Sequence, residues 1–406
     1  MEKYIKKLHI QNIGLFDSLN VEFSPDINII IGANSTGKTS ILKFITYCLS
    51  NHNMNHTRFR ANAEYWIDFI SSGKKYRSGS TNVVDSDQAY MQFNITQWGQ
   101  VPKADCEQVY MPFGQVPYNL FAIGAYRYFE YKRIDGMKRE EKGATRKQHY
   151  DSKNCEYLEK PSLPAIKQWM INRYFVTEKD WAEVEKSNWE SVISFLPNLV
   201  SNNQKFQFSR IERDLEPIFL LNGKECYLEE LSGGFKSILS IIFSIIDWCE
   251  GVNEGELGLV SNACGTVLID EIDAHLHPEW QLSVVSNLKK LFPKVQFIVT
   301  THSPHVVLTA KENEIIRIPP HNGRIDISPT KKTYNGWQIS DILNDLMGVT
   351  EPDELQANEL LSAIDSAISE KNKEVFESEL QKLKELLHPN DPIIKIYEIK
   401  RSKLFL

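Results

Sequence analysis

The sequence predicts an α/β protein in which a mixed central sheet is flanked by helices, with an inserted lobe and a helical appendage after it. Three observations carry this reading. The run Ile27-Asn28-Ile29-Ile30-Ile31 is β-branched and dense enough for a strand buried on both faces. The short apolar runs Thr266-Val267-Leu268-Ile269-Asp270 and Val295 to Thr300 flank a helix-patterned stretch over 279–291, which makes a strand-helix-strand unit of a parallel sheet. Across 406 residues, 42% are hydrophobic and 24% charged, enough to bury a sizeable core.

Taken in order, Tyr4 to Ile10 and Leu19 to Phe23 alternate with a period near two and are followed by turn-prone residues, so they read as a hairpin. Ser40 to Leu49 carries the apolar pattern of a helix. Residues 50–226 are mixed: 60–70 and 89–97 have strand character, and Leu120 to Tyr126 is a better candidate for a core strand. Polar residues dominate 131–155, where Lys132, Arg133, Lys138, Arg139, Lys142, Arg146 and Lys147 lie close together, and this reads as a mobile loop. Two short helices follow at 163–175 and 179–196. A nearly wholly apolar helix is expected over 235–249. After 337 the chain reads as helical, with segments Ile339 to Leu346, 353–369 and 372–387 and a last one after Pro392. The expected organisation is a head over 1–330, with 50–226 as its inserted lobe, and a helical region over 338–406 suited to docking a partner.

Composition sets limits on function. Lys and Arg total 46 against 53 Asp and Glu, a net charge of −7, so no global positive field draws the chain to nucleic acid or anionic lipid. No apolar run approaches the roughly 18–20 residues that span a bilayer, and the first residues lack a signal-peptide core, so a cytoplasmic protein without a membrane partner is expected. The six cysteines are scattered singly and suggest neither a disulfide framework nor a zinc finger.

The chemistry is carried by four short segments. Gly32-Ala33-Asn34-Ser35-Thr36-Gly37-Lys38-Thr39 fits GxxxxGK[ST] between a predicted buried strand and a predicted helix. In such a loop the glycines let N–H groups curl around phosphates, Lys38 reaches the β- and γ-phosphates and the Thr39 hydroxyl ligates Mg²⁺. Gly32, Asn34, Ser35, Thr36, Gly37, Lys38, Thr39 and Ser40 are the candidate nucleotide-binding residues. Val267 to Glu271 is an apolar strand ending in two carboxylates; Asp270 is placed to hold Mg²⁺ with Thr39, and Glu271 to orient or deprotonate an attacking water. Ser232, Gly233 and Gly234 open the long apolar helix and leave N–H groups free for an anion. Thr300-Thr301-His302-Ser303-Pro304 ends a strand in a histidine; alone it would usually be structural, but in this company it is a candidate γ-phosphate contact.

In that order the segments GANSTGKT, LSGG, VLIDEID and TTHSP resemble the Walker A, signature, Walker B with D-loop, and switch histidine of ABC-type ATPase heads, in the RecF/SMC/OLD branch. The resemblance implies ATP and Mg²⁺ as cofactors, Glu271 and His302 as catalytic residues, and a homodimer, open to larger even-numbered assemblies, with two ATP molecules sandwiched between Lys38 of one head and Ser232 to Gly234 of the other. It also makes His275 and His277 part of the D-loop rather than a zinc site. Two departures stand out. Phe235 occupies the place where the signature often has glutamine, and the strand expected to end in a Q-loop glutamine ends in Tyr126-Arg127, where Arg127 could reach phosphate, couple the lobes or lie on the surface.

Without a long coiled coil between Gly37 and Leu231, the chain resembles the small anti-phage defence ATPases of the Septu type, which pair with a separate HNH nuclease. That resemblance implies an ATPase subunit whose head dimerisation gates a partner effector nuclease, with no nuclease activity of its own. A self-contained OLD-like nuclease would need acids on strands, whereas Glu351, Asp353, Glu354 and Glu359 fall on a helical pattern. A RecF-like repair ATPase acting on DNA directly is the alternative, with the Lys132 to Lys147 loop as its DNA contact, although interspersed acids make the local positive excess modest.

Overall fold

A computed structural model of the protein describes residues 3–50, 57–82, 98–112, 116–127, 131–141, 143–160, 166–200, 204–253, 255–319, 323–348, 352–370, 372–387 and 392–404. The stretch read as a strand at 89–97, and the charges Glu130, Lys142 and Glu351, lie outside these residues, as do the side chains of Asp353 and Glu354. Two compact units are present, Met1–Ile342 and Leu343–Leu406.

Five strands form the central sheet of the first unit, in the order Ile315–Arg317, Ile27–Ile31, Val295–Thr300, Gly265–Ile269 and Leu120–Ile123. All neighbours are parallel. Every residue of the inner three strands is buried, which is why their sequences read as unbroken apolar runs rather than alternating ones. Because the strands share a direction, the segments leaving their C-terminal ends (32–37, 124–127, 270–277 and 301–303) emerge along one edge.

A second, larger sheet packs on it, in the order Arg324–Ile327, Phe16–Glu22, Lys3–Ile13, Phe59–Ser71, Lys74–Asn82 and Trp98–Gly99, with Gln108–Tyr110 also pairing to Lys74–Asn82. The hairpin register Leu8↔Val21 and Ile10↔Leu19 sets alternate apolar side chains inward. Those side chains share one core with Ile30, Leu268 and Ile298 of the central sheet and with Ile41, Leu42 and Ile45 of the helix Lys38–Leu49. Gln296 fastens the layers: its amide exchanges two hydrogen bonds of 2.8 Å with the Ile5 backbone. Mixed strand directions are thus separated into a parallel sheet and a mainly antiparallel one. Residues 59–82 and 120–123, read as part of an inserted lobe, pair into the head's own sheets.

The remainder of 50–226 contributes the helices Gly143–Glu159, Ile166–Val176 and Glu183–Phe195 and a three-stranded antiparallel sheet, Phe206–Ile211, Pro217–Leu221 and Lys224–Tyr227. The helix Gly143–Glu159 corrects the reading of 131–155 as a mobile loop; irregular backbone is confined to the described residues 131–141 before it. Its mean hydropathy is low, yet Tyr150, Asn154, Cys155 and Leu158 are buried, and Asn154 bonds the Leu120 carbonyl and the Ala122 N–H of the sheet's edge strand. The sequence pattern misses it because polar groups make those contacts. The helix Gly233–Val252 is buried almost along its whole length, and the expected helix at 279–291 is broken into Pro278–Gln281 and Val284–Leu291.

In the second unit the helices Pro352–Ser369, Lys373–Leu386 and Pro392–Leu404 pack around Leu360, Ile364, Phe376, Leu380 and Leu383, with Tyr397 against them. Asn372 caps the middle helix by accepting from the Val375 N–H at 3.2 Å. Glu359 lies on the exposed side of a helix, not on a strand. Among the described residues, no helix is long and apolar enough to cross a membrane.

Candidate functional site

The sheet edge gathers the loop 32–37, the strand end at Asp270 and the strand end at Thr300. Loop conformation is dictated by glycine at two positions. Gly37 has φ +84°, and a methyl group there would come 2.5 Å from Phe16 Cζ; one at Gly32 would come 2.8 Å from the Ile318 carbonyl oxygen. Ser35 also has positive φ, and the Thr36 hydroxyl closes the turn on the Ala33 carbonyl at 2.9 Å. Asn34 and Ser35 are exposed, Thr36 is buried, and Thr39 and Ser40 are half-buried in the first helical turn.

Lys38 is only 6% exposed, and its ammonium is held by the Gly32 and Ala33 carbonyls at 2.8 and 3.0 Å. Burial lowers its pKa, and the nearby carboxylates of Asp270, Glu271 and Asp273 oppose that shift. The Thr39 hydroxyl donates to Asp270 at 2.9 Å. A second hydroxyl, that of Thr300, donates to the same carboxylate at 2.6 Å and accepts from the Glu271 N–H at 2.7 Å. Thr300 therefore orients both acids at once. Residue type and spacing single out only the histidine of that segment, and nothing along the chain marks Thr300 as a partner of the two acids.

Glu271 is exposed and sits at φ +47°, a left-handed conformation that a glutamate adopts only when its surroundings hold it there. Arg127 does part of that holding. Its guanidinium donates to the Asp270 carbonyl at 3.2 Å, to the Glu271 carbonyl, and to the Ser237 hydroxyl at 3.0 Å, and Ser237 in turn donates to the Ala274 carbonyl at 3.1 Å. At 2% exposure this arginine is not on the surface; it joins the carboxylate strand end to the helix that begins at Gly233. Burial lowers its pKa to about 10, so it remains charged at neutral pH.

His302 keeps one side open to solvent beside Lys38, and the partial desolvation of its ring together with that ammonium lowers its pKa. Asp273 fixes its backbone, accepting from the Thr301 hydroxyl at 2.5 Å and the His302 N–H at 3.3 Å. Ser232 and Gly233 are exposed, and the near neighbours of Gly233 and Gly234 are His275 and Trp280 rather than the 32–39 loop. Phe235 is buried between Phe206 and Trp280, each with its ring centre 4.6 Å away, so it is a core residue. No group of three or more His, Cys, Asp or Glu suited to hold a metal by itself occurs among the described residues, and His275 and His277 belong to no such cluster.

The donor set fits a nucleoside triphosphate with Mg²⁺: a glycine-shaped loop that an added Cβ would fill, a buried ammonium held only by carbonyl oxygens, and a hydroxyl–carboxylate pair beside it. A parallel sheet carrying these groups on its C-terminal edge defines a P-loop ATPase head. The chain belongs to the AAA ATPase domain family, whose model matches residues 4–99 and 100–307. The Septu protein PtuA of Bacillus thuringiensis is 28% identical over 98% of this chain and 97% of its own length. A retron Vc95 probable ATPase from Vibrio cholerae is 24% identical over 88% of this chain and 82% of its own. Among solved structures, an Smc head domain with an extended coiled coil, bound to the C-terminal domain of ScpA and derived from Pyrococcus furiosus, has a TM-score of 0.42 and 17% identity over 82% of this chain and 95% of that one.

Proposed function

We propose that this chain is the ATP-binding and ATP-hydrolysing subunit of an anti-phage defence complex, in which ATP-driven pairing of two heads gates a partner effector nuclease of the HNH type. The observation that carries the catalytic part is the Thr39–Asp270 hydrogen bond of 2.9 Å beside the Lys38 ammonium, with Glu271 as the next residue. In this reading the N–H groups of 32–40 and Lys38 bind the β- and γ-phosphates, while Thr39 and Asp270 hold Mg²⁺. When bound, Mg²⁺ supplies charge neutralisation on the phosphate oxygens. Glu271 orients the attacking water and accepts its proton, and His302 hydrogen-bonds the γ-phosphate.

Ser232 and Gly233, exposed at a helix start with Gly234 buried behind them, meet the nucleotide of a second copy, so ATP closes a homodimer and its hydrolysis opens it. Dimers of this kind can build larger even-numbered assemblies, and the unit Leu343–Leu406 docks the effector. Likeness to PtuA over nearly the full length of both chains, and to a retron ATPase over most of both, supports the defence setting. The RecF-like alternative needs a free basic surface at Lys132 to Lys147. Two members of that cluster are committed elsewhere, Arg146 to Asp247 at 2.5 Å and Lys147 to Asp151 at 2.6 Å.

The native mass of the Glu271→Gln protein with and without Mg-ATP, alone and co-expressed with its neighbouring gene product, tests the proposal. The expected result is an ATP-dependent even-numbered assembly that retains the neighbour, with turnover reduced by roughly 10²- to 10⁴-fold. A monomer that ignores ATP but shifts on added DNA would favour the repair alternative, and unchanged turnover would remove Glu271 from its role.

A further inference from the structure

The segment after Glu271 ends in the short helix Pro278–Gln281, and one side chain of that helix ties it to two places at once. The Gln281 Nε2 donates to the Leu276 carbonyl at 2.8 Å, and its Oε1 accepts from the Ser303 hydroxyl at 2.6 Å. Ser303 in turn accepts from the His305 N–H at 3.1 Å, capping the helix Pro304–Leu308, so its own proton is directed to Gln281. Leu276 and Ser303 are both buried. Their positions call for a donor and an acceptor at the end of one side chain, which an amide supplies and a carboxylate or thioether does not.

Each end of this link leads to a part of the nucleotide site. Ser303 directly follows His302, and its N–H donates to the Thr301 hydroxyl at 2.9 Å. Leu276 directly follows His275, which is held in the left-handed region at φ +66°. A methyl group at Gly234 would come 3.0 Å from the His275 carbonyl oxygen and 3.0 Å from the Trp280 ring. Those two groups are therefore the surface on which the start of the helix Gly233–Val252 rests, and Gln281 adjoins one and bonds the peptide unit beside the other. Arg127 reaches the same helix from Glu271 by way of Ser237. Gln281 is a separate link that begins at the histidine.

We propose that Gln281 is a positioning residue, which couples the contact of His302 with the γ-phosphate to the placement of Ser232 to Gly234; this rests on the ATPase reading above. Movement of the 301–303 backbone on γ-phosphate contact passes through Gln281 to the Leu276 carbonyl. His275 and Trp280 then shift, and the helix start shifts with them, because buried packing of this kind admits discrete arrangements rather than free play. The state of one nucleotide thereby sets how the same chain presents Ser232 and Gly233 to the nucleotide of a second copy.

The full chain carrying Gln281→Met, which is close in shape and removes both bonds, tests the inference through nucleotide affinity, steady-state turnover, melting temperature and amide exchange. Affinity is expected to stay within about twofold of wild type, since the 32–40 loop is untouched, while kcat falls roughly tenfold with KM little changed. The Lys236 N–H, which bonds the Ser232 carbonyl at 3.0 Å, should exchange about threefold faster or more. In a His302→Ala background the same substitution should lower turnover by less than about twofold, because both changes break one route. Unchanged kcat, unchanged Lys236 exchange, losses that multiply in the double variant, or affinity, turnover and melting temperature falling together would each overturn the inference. Absence of ATP turnover in wild type, or unchanged turnover in Glu271→Gln, would instead bring down the ATPase reading and the inference with it.

Discussion

The Arg127 guanidinium donates to the Ser237 hydroxyl at 3.0 Å while its other nitrogens reach the Asp270 and Glu271 carbonyls. One buried side chain therefore spans the strand end that carries both acids and the first turns of the helix that opens with Ser232 to Gly234. Lysine has a single point of donation and cannot reproduce that fork. Arg127→Lys is expected to lower ATP turnover roughly 10- to 100-fold, through misplacement of Glu271, while leaving nucleotide affinity close to wild type. Arg127→Met, which strands the buried Ser237 hydroxyl and Asp270 carbonyl and the part-buried Glu271 carbonyl, should cost about 3 kcal/mol of stability. Steady-state turnover alongside denaturant unfolding separates the two effects; a turnover loss that merely tracks unfolding would make the residue a structural one.

Gly37 is held at φ +84° with Phe16 against its missing side chain. Gly37→Ala is expected to destabilise the head by about 2 kcal/mol and to abolish nucleotide binding even where the protein remains folded, because left-handed strain and the Phe16 contact both push the loop open. Nucleotide titration of the folded variant at low temperature checks this.

Phe235 stands where a glutamine would restore the more usual signature. Since its ring fills the space between Phe206 and Trp280, Phe235→Gln should not raise turnover and should lower stability by about 3 kcal/mol, from lost packing and an amide without partners. A gain in turnover would show that the residue faces the nucleotide after all.

His9 and His302 both have lowered pKa values, in each case chiefly through burial. The folded protein thus binds fewer protons at these sites than the unfolded chain, so stability declines as the pH falls through the ordinary histidine range near about 6.5 and below. Unfolding free energies at pH 7, 6 and 5 should fall for the wild type and fall less for His9→Gln/His302→Gln. An equal decline in both proteins would place the titrating groups elsewhere.

The sequence carried the parts of the head whose chemistry is local. A loop whose glycines need special backbone angles, a strand buried on both faces and a carboxylate at a strand end are each dictated by neighbours along the chain, so Gly32 to Ser40, Val267 to Glu271 and Thr300 to Pro304 could be read directly. Parallel pairing then brought them to one edge, as the strand-helix-strand pattern implied. The helix Gly143–Glu159 was not legible because its contacts are polar, with Asn154 bonding the sheet's edge strand and Arg146 the helix Gly233–Val252. Residues 59–82 read as an insert because nothing in their own sequence says that they pair with the first strand, which is set by long-range register.

Residue type and spacing along the chain establish the set of groups available for phosphate chemistry and the elements that present them. Tertiary structure decided what those groups touch: that Thr300 orients both acids, that Phe235 is core, and that Arg127 is buried between Glu271 and Ser237. Local conformation depends on residues a few positions apart and is written in spacing and residue type. Burial, by contrast, depends on which distant surfaces meet, and a lone arginine or phenylalanine looks the same in sequence whether it ends in water or in the core.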